Sequence, residues 1–396
     1  MKLITKIAWL ALSLVLMAGA GRSQKPEKVY SVIKEIHPFE WYQAQAVAWK
    51  GVIDGNPADA PAWLNYYTAN RMMWLTDRGR FDKLSGSAFR PPQEIVESAA
   101  GAVPGSFEAL YIRLWTHQDY PGREKDLMKA YELAKGSPEI LDEMCLHYEV
   151  KGDAARRTEV NRQWLQSNDI PAGILNYNYN VLMTLPDDAI VVTGGDNDTF
   201  PLWVLQDAME VKPAVRVVNI SLMMMPAYRK RVFSALGIPD VTFKASGYPS
   251  QDSVFVQRQL ILGQLLERAK QPVFIALTLD RRYYSDAKIQ QDLYLDGLAL
   301  RYEKNAYDNM ATIRRHFEND YLLDYLRVSF RNDASTPVVE QMNTGYLPAL
   351  VKLCRHYRES GEQRRFDDVK RMIYGITKGS HNESEYKEYE PYLNCN

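Results

Sequence analysis

Between residues 38 and 168 apolar side chains recur three and four apart, and strand-like alternation is scarce. That spacing predicts helix after helix. One aromatic-rich pair spans Trp41 to Trp74, broken at Asn56-Pro57-Ala58-Asp59. Another spans Ser137-Pro138 to Gln166, with Gly152-Asp153 at its turn. The pattern then changes. Ala189-Ile190-Val191-Val192-Thr193 is a continuous β-branched run suited to a buried parallel strand. Gly194-Gly195 breaks it, and a helix is predicted from Pro201, in the first turn, to Glu210. Val215 to Ser221 is a second strand, Pro226 to Leu236 a helix, and Val241-Thr242-Phe243 a short strand. Ser253 to Lys270 follows as an amphipathic helix and Val273 to Leu279 as a third apolar strand. Leu298 to Tyr302 is expected at the sheet edge. Strands alternating with helices predict a Rossmann-like α/β domain: an open, mostly parallel sheet covered on both faces.

The helical pattern returns near the C-terminus. Leu141-x-x-x-Cys145-x-His147-Tyr148-x-x-x-Gly152-Asp153 is echoed by Leu350-x-x-x-Cys354-x-His356-Tyr357-x-x-x-Gly361-Glu362. An arginine pair follows each, Arg156-Arg157 and Arg364-Arg365. The echo resembles a tetratricopeptide-like unit, about 34 residues of helix–turn–helix that bury an apolar face by stacking. The two Cys-x-His pairs suit repeat packing better than zinc. Residues two apart on a helix point about 200° away from each other and rarely share one ion.

The first residues carry Lys2 and Lys6, an apolar run Ile7 to Met17, and small residues Ala18-Gly19-Ala20. This is a secretory signal expected to be cleaved before Gly21. Export to the periplasm of a Gram-negative envelope follows, with no transmembrane segment in the mature chain. Losing Lys2 and Lys6 takes the net charge from −1 to −3. Such balance offers no basic field for nucleic acid. Cys145, Cys354 and Cys395 are too few for a disulfide framework, although one bridge is possible in an exported chain.

In parallel sheets the functional crevice lies beyond the carboxyl ends of the strands. Gly194 to Thr199, Asn219 to Met225 and Thr278 to Tyr284 should meet there. Two readings of the first loop stay open. Asp198 or Thr199 caps the following helix, with Asp196 serving the tight turn. Alternatively Asp196, Asn197, Asp198 and Thr199 line a polar pocket, with Trp203, Gln206, Asn219 and Ser221 as second choices. That pocket would take a glycan, or Ca²⁺ or Mg²⁺ on Asp196 and Asp198. The Asn176-Tyr177-Asn178-Tyr179-Asn180 run suits ring packing on the sheet more than sugar binding. There is no G-x-G-x-x-G, Walker loop, His-Glu-x-x-His or G-x-S-x-G.

The segment Gly194-Gly195-Asp196-Asn197-Asp198-Thr199-Phe200-Pro201-Leu202-Trp203-Val204-Leu205-Gln206 resembles the soluble C-terminal region of bacterial multi-pass membrane proteins. Those proteins look like protein O-mannosyltransferases. Val215 to Leu222, Pro272 to Ala276 and Tyr294 to Tyr302 resemble later blocks of the same family, so the likeness covers about residues 172–305. Val204 stands where the family carries Tyr. The transferase chemistry of that family is expected in its membrane half, for which this chain has no counterpart. The resemblance therefore implies a soluble extracytoplasmic domain, accessory to envelope protein glycosylation.

Five segments are expected: a signal peptide over 1–20, tetratricopeptide-like helices over 21–170, the α/β domain over 171–305, C-terminal helices over 306–380 and a tail over 381–396. The expected function is an exported binding or scaffold protein. Its helical repeats would take a protein partner and its loop a ligand. Two alternatives stand beside it: a metal-assisted enzyme acting on a glycan or phosphate ester, and a purely structural interaction module.

Overall fold

The computed structural model describes residues 25–31, 33–117, 119–241, 251–328 and 333–379. The leader, the tail with Cys395, and Thr242-Phe243 of the expected short strand lie outside them. The chain divides into two compact units. Residues 37–136 belong to the first with the stretch before Ile33, and Ile33–Ile36 belong to the second with everything from Ser137.

The first unit is helical: α1 (Phe39–Gly55), α2 (Ala60–Thr76), α3 (Pro92–Ala102), α4 (Phe107–Thr116) and α5 (Arg123–Ala134). Asn56 to Asp59 is the turn between α1 and α2. There Asp59 accepts from Ala62 N at 3.0 Å, and Pro61 sits in the first turn, where a missing N–H leaves nothing unsatisfied. Two neighbouring clusters form the core. Ile53, Trp63, Tyr66 and Tyr67 meet Ile95, Ala99 and Ile112, while Tyr42 and Ala46 meet Met72, Met73 and Phe81.

The second unit begins with α6 (Leu141–Lys151), α7 (Ala154–Ser167) and α8 (Ala172–Thr184). Then come β1 (Ile190–Thr193), α9 (Phe200–Met209), β2 (Arg216–Asn219), α10 (Pro226–Leu236), α11 (Gln251–Arg268) and β3 (Val273–Ala276). A hairpin of β4 (Leu293–Asp296) and β5 (Ala299–Tyr302) follows. After it come α12 (Asn309–Arg315), a π-helical turn His316–Asp320, α13 (Thr336–Asn343), α14 (Leu347–Glu359) and α15 (Gln363–Gly379). No helix of the described residues is long and apolar enough to cross a membrane.

The sheet is mixed, in the order β2-β1-β3-β5-β4. β1 pairs in parallel with β2 and β3, Val191 lying opposite Val217 and Phe274. β5 pairs antiparallel with both β3 and β4. A mostly parallel sheet was expected; half of the pairings are antiparallel. The strand expected at the edge is also interior, since β5 lies between β3 and β4. The reason is local. Asp296 pairs with Ala299 across a two-residue loop whose first residue, Gly297, has φ 66°, the pattern of a type II′ hairpin turn. A hairpin adds its strands antiparallel, whereas the helical crossovers before it must add theirs parallel.

Alternate strand residues build the two faces. Ile190, Val192, Val218, Ile220 and Ile275 pack with Val232, Phe233 and Leu236 of α10 and Ile261, Leu262 and Leu265 of α11. Val191 and Phe274, pointing the other way, are equally buried, so both faces are covered.

The two echoed helical pairs are α6–α7 and α14–α15. Both turn through a left-handed glycine, Gly152 at φ 74° and Gly361 at φ 73°. In each the next residue reaches back to the tyrosine carbonyl, Asp153 N to Tyr148 O and Glu362 N to Tyr357 O. This is the reverse turn that satisfies a helix's last carbonyls. Cys145 and Cys354 are free and buried. Burial pushes the Cys354 thiol up to about 11 and that of Cys145 further up, which leaves both as protonated packing groups.

Candidate functional site

The expected convergence at the strand ends is present, as a closed network. The Asp198 carboxylate turns inward and is 4 % exposed. Its Oδ1 accepts from Gly195 N at 2.8 Å and Thr199 Oγ1 at 3.1 Å. Its Oδ2 accepts from Gly194 N at 3.2 Å and from the Thr278 hydroxyl. Burial raises the Asp198 pKa, and these four donors temper the rise. Thr199 Oγ1 lies 2.8 Å from Thr193 Oγ1 and accepts from Asn219 Nδ2 at 2.9 Å. Asn219 Oδ1 takes the amides of Ser221 and Leu222 at 2.8 and 3.2 Å, and Ser221 Oγ reaches Gly194 O at 3.5 Å.

Asp198, Thr199, Asn219 and Ser221 are thus brought together, but to join β1, β2 and β3 at their carboxyl ends. Both readings of the loop need correction. No side chain caps α9 at Thr199, because the Asp198 carboxylate is spent on the glycine amides. Nor does Asp198 face an open hollow. Gly194 supplies close approach: a Cβ there would lie 2.8 Å from Leu279 Cδ1.

Asp196 is exposed and Asn197 half-buried. Asn197 donates to Ile33 O at 3.4 Å and accepts from Asn178 Nδ2 at 2.8 Å. Asp196 stands near Asp142 of α6. Burial, then Glu143 and Asp196, hold the Asp142 carboxyl well above the usual carboxylate range. Among the described residues no three His, Cys, Asp or Glu side chains lie where they could hold one metal ion. Asp198 does not fit as a ligand to Ca²⁺ or Mg²⁺, since each of its oxygens already accepts two donors.

Trp203 and Gln206, the remaining residues expected at the site, are on α9 and line a separate cleft of about 420 Å³ beside the β2 edge. Val215 to Val218 form its floor, Tyr228, Val232 and Ala235 of α10 one wall, and the α6–α7 turn closes its end. Gln206 Nε2 donates to Lys212 O and Val215 O at 2.9 and 2.7 Å, tying down the approach to β2. Arg157 grips Asp207 with two bonds, Nε to Oδ2 at 2.8 Å and Nη2 to Oδ1 at 2.9 Å, and pairs with Glu149. Its guanidinium lies 5.6 Å from the Trp203 ring centroid. Arg231 lies 5.0 Å from the Tyr228 ring centroid and donates to the Glu149 and Val150 carbonyls.

The family comparison falls on this region. Residues 174–236 match the family model described as TMEM260-associated domain 2. The match runs from α8 to the end of α10. It takes in the Gly194 to Thr199 loop and most of the residues that line the cleft. It is consistent with the O-mannosyltransferase-like relation read from the Asp-Asn-Asp-Thr block. No curated protein matches the chain.

Thr193 and Asn178 were not among the expected site residues, nor were Arg157, Glu149, Asp207 and Arg231; Thr278 was expected only as the start of a converging loop. Thr193 and Thr278 each follow an apolar run, where a polar residue signals a buried partner, and Asn178 is one amide of the alternating Asn-Tyr run. The charged residues are ordinary helix charges in sequence, and only packing makes them a cluster.

Proposed function

We propose that this chain is an exported binding or scaffold protein, accessory to protein glycosylation, whose ligand enters the cleft beside β2. One observation supports it above others: the segment related to the TMEM260-associated family supplies most of the cleft and most of the network that holds its strands. The buried Trp203 and Tyr228 rings back the cleft, which presents the guanidinium groups of Arg157 and Arg231, the carboxylate of Glu149 and the backbone of an edge strand. These are the groups that hold sugar hydroxyls or an extended glycopeptide. The paired helices α6–α7 and α14–α15 act as a repeat-like frame for a protein partner.

Binding is favoured over turnover because the acids are committed. Arg157 pairs with Asp207 and Glu149, Arg231 also pairs with Glu149, and Asp198 is enclosed, so the two carboxylates that line the cleft are engaged by arginine rather than free to act as a general base.

Calorimetric titration with a mannosylated threonine peptide and its bare counterpart tests this. Ala235, exposed on the cleft wall, is replaced by Trp to fill the cleft. The mannosylated peptide should bind wild type, and Ala235→Trp should lose at least tenfold in affinity with its thermal midpoint unchanged. Equal binding by the filled variant would remove the cleft from the account. Release of sugar, or hydrolysis of an aryl phosphate with Mg²⁺ or Ca²⁺, would favour the enzyme alternative.

A further inference from the structure

His316 sits on the π-helical turn that ends α12 and is fully buried. Its Nδ1 lies 2.9 Å from Asp320 Oδ2, and Arg315 Nε donates to the same oxygen at 3.2 Å. A carboxylate oxygen flanked by two nitrogens remains an acceptor, so Nδ1 carries the hydrogen. In the neutral ring Nε2 is then a bare lone pair. It faces Asp296 Oδ1, at the end of β4, across 3.9 Å. Asp296 is 2 % exposed. Neither Nε2 nor Oδ1 has a hydrogen-bond partner among the described residues.

The surroundings fix both groups in place. The other Asp296 oxygen accepts from Tyr307 Oη at 2.9 Å. The Tyr321 ring stacks on His316 at 5.4 Å and 5°, and its hydroxyl pairs with Thr184 Oγ1 of α8 at 2.5 Å. A Cβ on Gly297, the residue after Asp296, would lie 2.0 Å from that hydroxyl. The pair therefore occupies the joint between the β4–β5 hairpin, the π-turn and the end of α8. Two lone pairs facing each other in a buried site are unfavourable unless a proton lies between them.

We propose that Asp296 and His316 share one proton in the folded protein, latching the β4–β5 hairpin to the π-turn, and that the latch releases as the solution becomes alkaline. Closing the gap needs an approach of about 1 Å or one bridging water. Burial acts the same way on both groups. It raises Asp296 and lowers His316, placing the proton on the carboxyl, which donates to Nε2. The other charges around the pair are Arg315 at the end of α12, Asp320 on the turn, which favours a positive imidazole, Arg301 on β5 and Lys212 before β2. Arg315 and Lys212 oppose a positive imidazole, and Arg301 opposes protonation of Asp296. Tyr307 and Tyr321 are both raised, by burial first, and remain neutral.

The sign follows from proton counts. Unfolded, the aspartate has its ordinary value of 3.8 and the histidine 6.5, so above pH 6.5 they hold little proton between them. The folded pair holds one. Stability then falls as pH rises through the folded pair's titration.

Two measurements on the full chain test this. In the first, ¹⁵N-histidine spectra are recorded between pH 5.5 and 8.5, with His316 assigned by His316→Gln. The expected result is an Nδ1–H tautomer whose Nε2 accepts a hydrogen bond, without imidazolium across that range. Titration of His316 to imidazolium near its ordinary value overturns the proposal. In the second, Asp296→Asn can turn its oxygen to Tyr307 and its amide to Nε2, mimicking the protonated pair at every pH. Wild type should lose thermal stability between pH 6.5 and 8.5, and Asp296→Asn should lose that slope. Parallel profiles overturn the proposal, and if Asp296→Asn does not fold, the wild-type spectrum decides alone.

Discussion

Single residues in this protein are decided by how many partners they can satisfy. Asp198 is the clearest case, because each of its two oxygens accepts two donors. An amide in its place has one acceptor and must turn an NH₂ toward Gly194 N, Gly195 N or a hydroxyl. Asp198→Asn should therefore destabilise the second unit by ~2–4 kcal/mol, the range for breaking a buried charged hydrogen-bond network. Urea unfolding followed by tryptophan fluorescence measures it. A variant as stable as wild type would mean that the network does not hold the strand ends. By contrast Asp196→Asn, at an exposed position, should stay within about 0.5 kcal/mol of wild type in the same assay.

Among elements, the two echoed helical hairpins allow a controlled comparison. Gly152 and Gly361 have nearly the same left-handed φ, so alanine at either should cost about 1 kcal/mol through backbone strain. Their neighbours differ. A Cβ at Gly152 would meet the Arg231 side chain at 3.1–3.3 Å, whereas at Gly361 it meets nothing within 4 Å. Gly152→Ala should therefore weaken binding of the mannosylated peptide as well as stability, and Gly361→Ala only stability. Equal effects on binding would disconnect the α6–α7 turn from the cleft. The hairpin β4–β5 obeys a stricter rule, since Gly297 is fixed by both its φ and the Tyr321 hydroxyl.

Over the whole molecule, sequence order and spatial membership part company. Ile33–Ile36 belong to the second unit although the chain on both sides belongs to the first. Asn197 donates to Ile33 O, and Lys34 pairs with Asp169, whose other oxygen accepts from Trp164 Nε1 at 3.1 Å. Lys34→Ala should lower the stability of the second unit by up to about 1 kcal/mol, the scale of a partly exposed ion pair. Asp169→Ala should lower it further by also stranding the indole N–H. Denaturation followed by amide exchange of α7 and α8 reads both, and reversal of that order would show that Lys34, not the indole, is the anchor.

Local pattern alone placed most of the elements. The β-branched run at β1, the three- and four-residue spacing of the helices, the break at Gly194-Gly195 and the turn at Gly152 are each dictated by residues within one or two turns of themselves. The three loops at the strand ends were also foreseen, because parallel strands joined by helices put their carboxyl ends together. Long-range pairing decided the rest. Whether β5 was an edge or an interior strand depended on β4 folding back beside it. The direction of the Asp198 carboxylate depended on Thr278, eighty residues later. A carboxylate reads identically in sequence whether it faces water or a ring of donors; only the packed neighbours set which of the two has the lower free energy.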